Sequence, residues 1–298
     1  MNGLHELAAI VRRWLGNDPH EGVGPLVPPG LQLIASSTVT KAQAVVYEPM
    51  LCVILEGAKI TTLAGQTYPY RAGEYLVVSA DLPVAGQVTE APYLALAVPL
   101  DPAVIAELLI ETDRTPADGV PTLGLAASAM DEDLLDAVTR LARLLERPDD
   151  AVVLGPMVHR EIVWRLMSGE RGAMVRQIGM ANGRLAQITR AIRWIRDHYA
   201  EPMRIEALAA LAGMSETSLH RHFRAVTAMS PLQFQKMVRL QEARTRLLSQ
   251  GRDVAGVGFE VGYDSPSQFS REYSRLFGRP PGRDLEHWRA SPDHAIAV

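Results

Sequence analysis

IEALAALAGMSETSLHRHF, residues 205–223, and DVAGVGFEVGYDSPSQFSREY, residues 253–273, are two copies of one small device. Each runs from an apolar helical pattern through a glycine and a polar turn into a second helical pattern carrying His or Arg. Gly213 and Gly262 stand where the first helix of each pair must end in left-handed backbone, which glycine adopts without strain. Ser215 and Ser265 follow as N-caps for the free amides of the next helix. This layout predicts two helix-turn-helix motifs, each with a second helix shaped for a DNA major groove.

The spacing also decides which side chains face inward. Leu219 and Phe223 are four apart and should pack together, leaving Thr217, His220, Arg221 and Arg224 outside. In the second copy Phe269 and Tyr273 are the inward pair, leaving Ser267, Gln268, Ser270 and Arg271, with Arg275 one turn on. Arginine matches the paired acceptors of guanine, and Ser, Thr, Gln and His read base edges or hold phosphates. Gly258 replaces the Ala209 of the first copy and Gly256 lies nearby; each costs roughly 1 kcal/mol of helix stability relative to alanine. The second motif is therefore expected to be the looser one, ordering fully only on DNA.

Between the copies, Ser230 and Pro231 open a long helix that should run to about Ser249 and end at Gly251, with Met237, Leu240, Ala243 and Leu247 on one side. Its length, roughly 28 Å, approaches one turn of DNA, about 34 Å. Before the first copy, Leu185, Ile188, Ile192, Ile195 and Tyr199 mark another helix, which Pro202 stops.

The 298 residues suit two domains, and charge divides them. Residues 1–183 hold 13 basic and 22 acidic side chains, a net of −9, whereas residues 184–298 hold 17 and 12, a net of +5. Only the basic half is expected to meet a polyanion. The expected division is 1–178, 179–290 and a tail of 291–298, with a linker around Gly179 to Gly183.

The front half has a different texture. An amphipathic helix carries Leu4, Leu7, Ile10, Val11, Trp14 and Leu15, and residues 17–30, rich in Gly and Pro, read as an exposed connection. From Leu31 to Leu100 come short runs, LQLIASSTV, AQAVVY, MLCVILEG, KITTLAG, TYPY, EYLVVSA and PYLALAV, punctuated by glycine and proline. That pattern predicts an antiparallel sandwich or barrel, with MLCVILEG as a central strand covered on both faces. Helices resume at Pro102, over Asp131 to Arg147 and over Val152 to Ser168; they either pack on the sheet or meet a second copy of the chain.

Cys52 is the one cysteine, so neither a disulfide framework nor a multi-cysteine zinc site is available. No run of 18 apolar residues signals a membrane span, and charged residues interrupt the apolar start of the chain; a cytoplasmic protein is expected. None of the eight histidines lies between residues 21 and 158, which excludes a His-ligated metal in the sheet domain, and no cofactor is expected. Cys52 in an apolar strand is ordinarily an inert core residue; the other reading is a thiol that senses an oxidant or electrophile, its pKa lowered by Lys59. Tyr47, Glu48, Tyr75 and Asp81 are candidates to line the same interior, with Tyr47, Cys52, Lys59 and Tyr75 taken as the ligand-binding set.

The back half resembles the AraC/XylS family of bacterial transcription regulators. The likeness rests on LAALAGMSETSLHRHFRAVTAMSPLQFQK, the RLQEAR of the long helix, VGYDSPSQFSREYSRLFG and the Gly-Arg-Pro-Pro of residues 278–281. It implies base contacts at Thr217, His220, Arg221, Ser267, Ser270 and Arg271. VVYEPMLCVILEGAK, EYLVVSADLPVAG and PYLALAVPLD resemble the cupin-type N-terminal domain of members that sense small molecules, some of them aldehydes, with a departure at Glu56, where glutamine is usual. The resemblance implies an α+β chain: a cupin-like antiparallel barrel with flanking helices, then an all-α domain with two helix-turn-helix motifs. The expected function is a transcription regulator, taken as an activator, that binds double-stranded DNA, a small-molecule effector, RNA polymerase and a second protomer, through a ligand-driven shift in domain arrangement. The rivals are a redox switch at Cys52 and a barrel enzyme tethered by its tail.

Overall fold

The computed structural model describes residues 2–16, 22–113, 121–250 and 253–289. Internal contacts divide the chain into two units, one through Ala186 and one from Gln187 to Ala295. The division falls eight residues after the expected 178/179 boundary, for a local reason. Gly179 lies so close to Ile105 and Ala106 that an added Cβ would come within 2.7 Å of the Ala106 nitrogen, which keeps the start of the expected linker in the first unit. The expected tail, 291–298, and Gly251 lie outside the described residues.

The first unit opens with helix α1 (Asn2–Leu15), whose Leu7, Ile10 and Val11 are buried. Among the described residues eight antiparallel strands follow: β1 (Gly22–Val27), β2 (Leu31–Ser36), β3 (Gln43–Tyr47), β4 (Met50–Leu63), β5 (Gln66–Arg71), β6 (Glu74–Val78), β7 (Leu82–Pro99) and, after helix α2 (Pro102–Glu111), β8 (Leu125–Ala129). Helices α3 (Glu132–Arg143), α4 (Pro148–Ser168) and α5 (Gly172–Ile178) complete the unit.

Two of these strands organise the rest. β4 and β7 are long and pair along nearly their whole lengths, Met50 opposite Pro99 and Thr62 opposite Ala85. One half of the pair is flanked by β2 and β1 beside β7 and by β6 and β8 beside β4; the other half is flanked by β3 and β5. The bend between the halves lies at a run of register shifts from Ile54 to Lys59. There Gly57 takes φ 71°, and a Cβ would overlap the carbonyls of Glu90 and Pro92. Gly57 thus kinks one continuous strand instead of separating two, as the sequence suggested; bulges of this kind re-aim side chains within a sheet.

Alternation then sorts the residues of β4, β6 and β7 onto two faces. Leu51, Val53, Leu55, Tyr75, Val77, Leu94, Leu96 and Val98 join one large core with residues of α1, α2, α3, α4 and α5. Cys52, Tyr93, Ala95 and Ala97, also buried, occupy the opposite face. Two strands were hidden in the sequence. β1 falls in the stretch read as a connection, and its Pro25 is tolerated because the strand sits at the sheet edge. β8 reads LAASA, with little β-branched character, and is also an edge strand.

The elements described in the second unit are all helices: α6 (Arg184–Asp197), α7 (Ile205–Ala212), α8 (Glu216–Thr227), α9 (Pro231–Gln250), α10 (Val254–Glu260), α11 (Pro266–Phe277) and α12 (Pro281–Arg289). α7–α8 and α10–α11 are the two helix-turn-helix pairs, and α9 is the long helix between them. A reciprocal cap opens α9: the Ser230 amide donates to Gln233 Oε1 at 2.9 Å, and the Gln233 amide donates to Ser230 Oγ at 3.3 Å. α9 buries Phe234, Leu240, Ala243 and Leu247. Its Arg239 ties the unit together, donating to the Tyr199 carbonyl at 2.6 Å, the Gly262 carbonyl at 2.7 Å and the Glu201 carbonyl at 3.0 Å.

Candidate functional site

In the first pair, Gly213 closes α7 with φ 68° and ψ 39°, and Ser215 Oγ accepts the Ser218 amide at 3.3 Å to start α8. Leu219 and Phe223 are fully buried, and Phe223 meets Phe234 of α9 edge-on with ring centroids 5.4 Å apart. Thr217, His220, Arg221 and Arg224 are all exposed on α8. Arg221 does not stand alone, because its Nη2 donates to His222 Nε2 at 3.2 Å. A guanidinium only donates, so the ring nitrogen facing it carries no proton. Sequence reasoning missed His222, which is buried beside that outward row.

In the second pair, Asp253 caps α10 by accepting the Gly256 amide at 3.0 Å. Gly262 makes the turn at φ 92°, and Ser265 Oγ accepts the Gln268 amide at 3.4 Å. Phe269 and Tyr273 are buried. Gly258 has a packing role: a Cβ there would stand 3.0 Å from the Phe269 ring, so its absence lets α11 close against α10. The glycine that suggested looseness is the place where the two helices touch.

Ser267, Gln268 and Arg271 are exposed on α11, and Ser270 is half-buried. Arg271 Nε folds back on the Ser267 carbonyl at 3.2 Å. Gln268 Nε2 donates to Glu272 Oε1 at 3.2 Å. The same carboxylate takes Lys236 Nζ of α9 at 2.9 Å and the Tyr263 hydroxyl at 2.9 Å. Partial burial raises the Glu272 pKa, but these three donors outweigh it and hold the carboxyl below its ordinary value. A carboxylate only accepts, so the Gln268 amide must turn its NH2 toward Glu272, leaving its carbonyl oxygen toward solvent. Glu272 was not singled out from sequence, although its position four residues after Gln268 on a helix was a signal.

The interior set of the first unit is only partly assembled as expected. Lys59 Nζ lies 5.5 Å from the Tyr47 ring centroid and 5.9 Å from that of Tyr93, and it hydrogen-bonds the Tyr47 hydroxyl. Thr61 and the Tyr70 hydroxyl pair at 3.1 Å in the same region. Gly86 makes room here, since a Cβ would meet Lys59 Cε at 3.0 Å and the Tyr47 oxygen at 3.2 Å. Cys52 belongs to this group, with Lys59, Tyr70 and Tyr93 all within its electrostatic reach. Tyr75 does not. It points to the helix-packed face, where Ser128, Glu170 and Arg171 surround it, because odd and even positions of β6 face opposite ways. Tyr93 and Tyr70 were missed from sequence; both complete the face that Tyr75 was expected to line.

Burial pushes the Cys52 thiol pKa up, and Lys59 only partly offsets it. The lowered pKa that a sensor thiol needs is therefore missing, which counts against the redox-switch reading. Burial pushes the Lys59 pKa down, but the charges and hydrogen bond that Tyr47 and Cys52 can offer outweigh it and leave the pKa above the ordinary lysine value. Among the described residues, no group of three or more His, Cys, Asp or Glu side chains could hold a metal ion, and no helix is long and apolar enough to cross a membrane.

Comparison with known proteins adds a second line of support. Residues 28–174 match the family model for the AraC-type transcriptional regulator N-terminus, and residues 208–287 match a helix-turn-helix domain model. Among curated proteins, the transcriptional activator RhaS of Salmonella agona is 26% identical over 163 residues, covering 54% of this chain and 57% of its own. The chain thus spans a little over half the length of the curated relatives it matches. Among solved structures, ToxT from Vibrio cholerae aligns with a TM-score of 0.54 at 8% identity, over 86% of this chain and 98% of that one. ToxT with a bound unsaturated fatty acid aligns with a TM-score of 0.52 at 9% identity, over 86% and 93%. At such identities the likeness is one of fold: a sheet domain followed by a helical one. With its front half matched to the AraC-type N-terminus and its back half to the helix-turn-helix domain, this chain belongs to the AraC/XylS family of transcription regulators.

Proposed function

We propose that this protein is a sequence-specific, DNA-binding transcription regulator whose activity is set by a small molecule held inside the sheet of the first unit. The observation that carries the reading is the pair of helices α8 and α11, each N-capped, each anchored by its own buried pair, each presenting a polar, arginine-bearing outer face. That construction suits base reading by Thr217, His220, Arg221, Ser267, Gln268, Ser270 and Arg271, with Arg224 on a phosphate. The outward carbonyl of Gln268 suits a base that donates, as adenine N6 does. RhaS is named an activator, which supports activation and contact with RNA polymerase.

The test is selection of a preferred duplex from a randomised pool, followed by measurement on variants. Arg221→Ala and Arg271→Ala should each relax preference at one base position and cost about 1–3 kcal/mol of binding. Arg224→Ala should instead weaken binding to every duplex and reduce the salt slope by about 1. If Arg271→Ala binds the selected site as the parent does, α11 does not read bases there.

A homodimer also fits. α4 leaves Val152, Val153 and Met157 more than 60% exposed, an apolar run suited to a second copy. Sedimentation should show Val153→Asp as monomer where the parent is dimer; a charged variant that stays dimeric excludes this face.

The effector reading rests on the inner face around Lys59, Tyr47 and Tyr93. An aldehyde, the effector class suggested by the sequence resemblance, is one small molecule that could accept hydrogen bonds there. Control requires that the effector bind one state of the protein more tightly than the other.

A further inference from the structure

Two helices of the second unit open on the same sequence pattern and use it differently. Ser230-Pro-Leu-Gln233 opens α9, and Ser265-Pro-Ser-Gln268 opens α11. In each, the serine hydroxyl accepts the glutamine backbone amide, at 3.3 Å and 3.4 Å. At α9 the glutamine side chain returns the contact, its Oε1 accepting from the Ser230 amide at 2.9 Å. At α11 the contact is not returned. Gln268 Nε2 donates forward to Glu272 at 3.2 Å, and neither the Gln268 carbonyl oxygen nor the Ser265 amide has a partner among the described residues. Both glutamines are exposed, so burial does not explain the difference. The residue four positions on does: Met237 follows Gln233, and Glu272 follows Gln268. A thioether is a weak acceptor and a carboxylate a strong one. Glu272 is itself held from the other side, by Lys236 of α9 and by the buried Tyr263, each at 2.9 Å.

We propose that Glu272 is a positioning residue for DNA recognition: it draws Gln268 out of the helix cap and presents the amide carbonyl to the groove, so that the contacted position favours a base with an exocyclic amino group, adenine or cytosine. This rests on the reading of α11 as a base-reading helix and adds to it what aims one of its side chains. A free glutamine accepts from adenine N6 and donates to N7 at once, which singles out adenine. With the NH2 committed to Glu272, only the acceptor is left for DNA. Adenine N6 and cytosine N4 both donate in the major groove, whereas guanine O6 and N7 and thymine O4 all accept and would repel the carbonyl. The forward position wins because a hydrogen bond to a charged acceptor is stronger than the neutral cap it replaces. Without the carboxylate, the α9 arrangement is the one this sequence pattern adopts, with the carbonyl turned back onto the serine amide.

The experiment joins duplex selection to amide hydrogen exchange, both on the full-length protein. The parent should select adenine or cytosine several-fold over guanine or thymine at one position, which Gln268→Ala makes indifferent. Glu272→Met, copying the spacing of α9, should erase the same preference and spare the position that Arg271 reads. Without DNA it should also slow exchange of the Ser265 amide several-fold, as Gln268 closes the cap. Glu272→Gln, whose amide oxygen still accepts from the Gln268 NH2, should restore the parent's preference and the parent's Ser265 exchange. Should Glu272→Met unfold α11, Met237→Glu tests the converse: it should draw Gln233 forward and speed exchange of the Ser230 amide several-fold. Unchanged Ser265 exchange in a folded Glu272→Met protein, or a Ser230 amide that Met237→Glu leaves protected, overturns the positioning role; base reading by Gln268 is then judged on Gln268→Ala alone. Selection of guanine or thymine at the Gln268 position rejects the outward carbonyl. If Gln268→Ala alters no position, Gln268 reads no base and the proposal falls, while the Arg221 and Arg271 variants still test the wider DNA reading.

Discussion

Asp284→Ala lowers the stability of the helical unit by about 3–5 kcal/mol, the expected result of removing one partner from a buried ion pair. Asp284 Oδ2 accepts from Arg244 Nε at 3.0 Å and from the Tyr273 hydroxyl at 2.8 Å. The Asp284 side chain is 6% exposed and that of Arg244 19%, so water cannot replace the lost contacts. Arg244 also stacks on Phe277, 4.8 Å from its ring centroid, which fixes the guanidinium in place once the carboxylate is gone. In the parent, burial first and the neighbouring Asp284 carboxylate second push the Tyr273 phenol pKa far up, so the phenol keeps its proton and donates it to Asp284. Urea unfolding measures the effect. Asp284→Asn should fall between parent and alanine variant, since an amide oxygen still accepts from both donors. A loss below about 1 kcal/mol for alanine would mean that the network is no more than a surface pair.

The second large effect is expected at Gly262. Its φ of 92° lies in backbone that alanine resists, and an added Cβ would overlap the Ala200 carbonyl and stand 2.9 Å from Arg239 Cζ. Strain and overpacking together should cost roughly 2–5 kcal/mol. Relief requires moving Arg239, which holds Tyr199, Glu201 and Gly262 by their carbonyls. Hydrogen exchange should therefore report Gly262→Ala as faster exchange in α10 and α11, with α7 and α8 protected as before. Specific binding should fall to the level that α8 alone supports. Uniform protection across both pairs would show that the turn tolerates the methyl group.

Much of this was legible in the chain, for physical reasons. Helix periodicity, a glycine before a serine, and inward pairs four apart are local signals, and they place Gly213, Ser215, Leu219, Phe223, Ser265, Phe269 and Tyr273 without knowledge of tertiary contacts. What local signals could not carry was partnership across the fold. Arg239 looks like any surface arginine until α9 is laid against the loop after α6. Gly258 looks like a weakness until Phe269 arrives beside it. In the sheet unit the failures follow from glycine and proline. At Gly57 the punctuation was a kink inside β4, and at Pro25 it lay inside an edge strand. Tyr75 was misplaced for a different reason: a face is fixed by register, and register needs the partner strand.

The sharing of β4 and β7 between the two halves of the sheet has a mechanical consequence. Lys59 and Leu51 lie on the same strand, one on the inner face and the other in the core beneath the helices. The backbone between them is a single hydrogen-bonded ribbon, folded at Gly57 against Glu90 and Pro92. On the effector reading proposed above, the crease at Gly57 is the route by which a guest on the inner face would act on the helix-packed core.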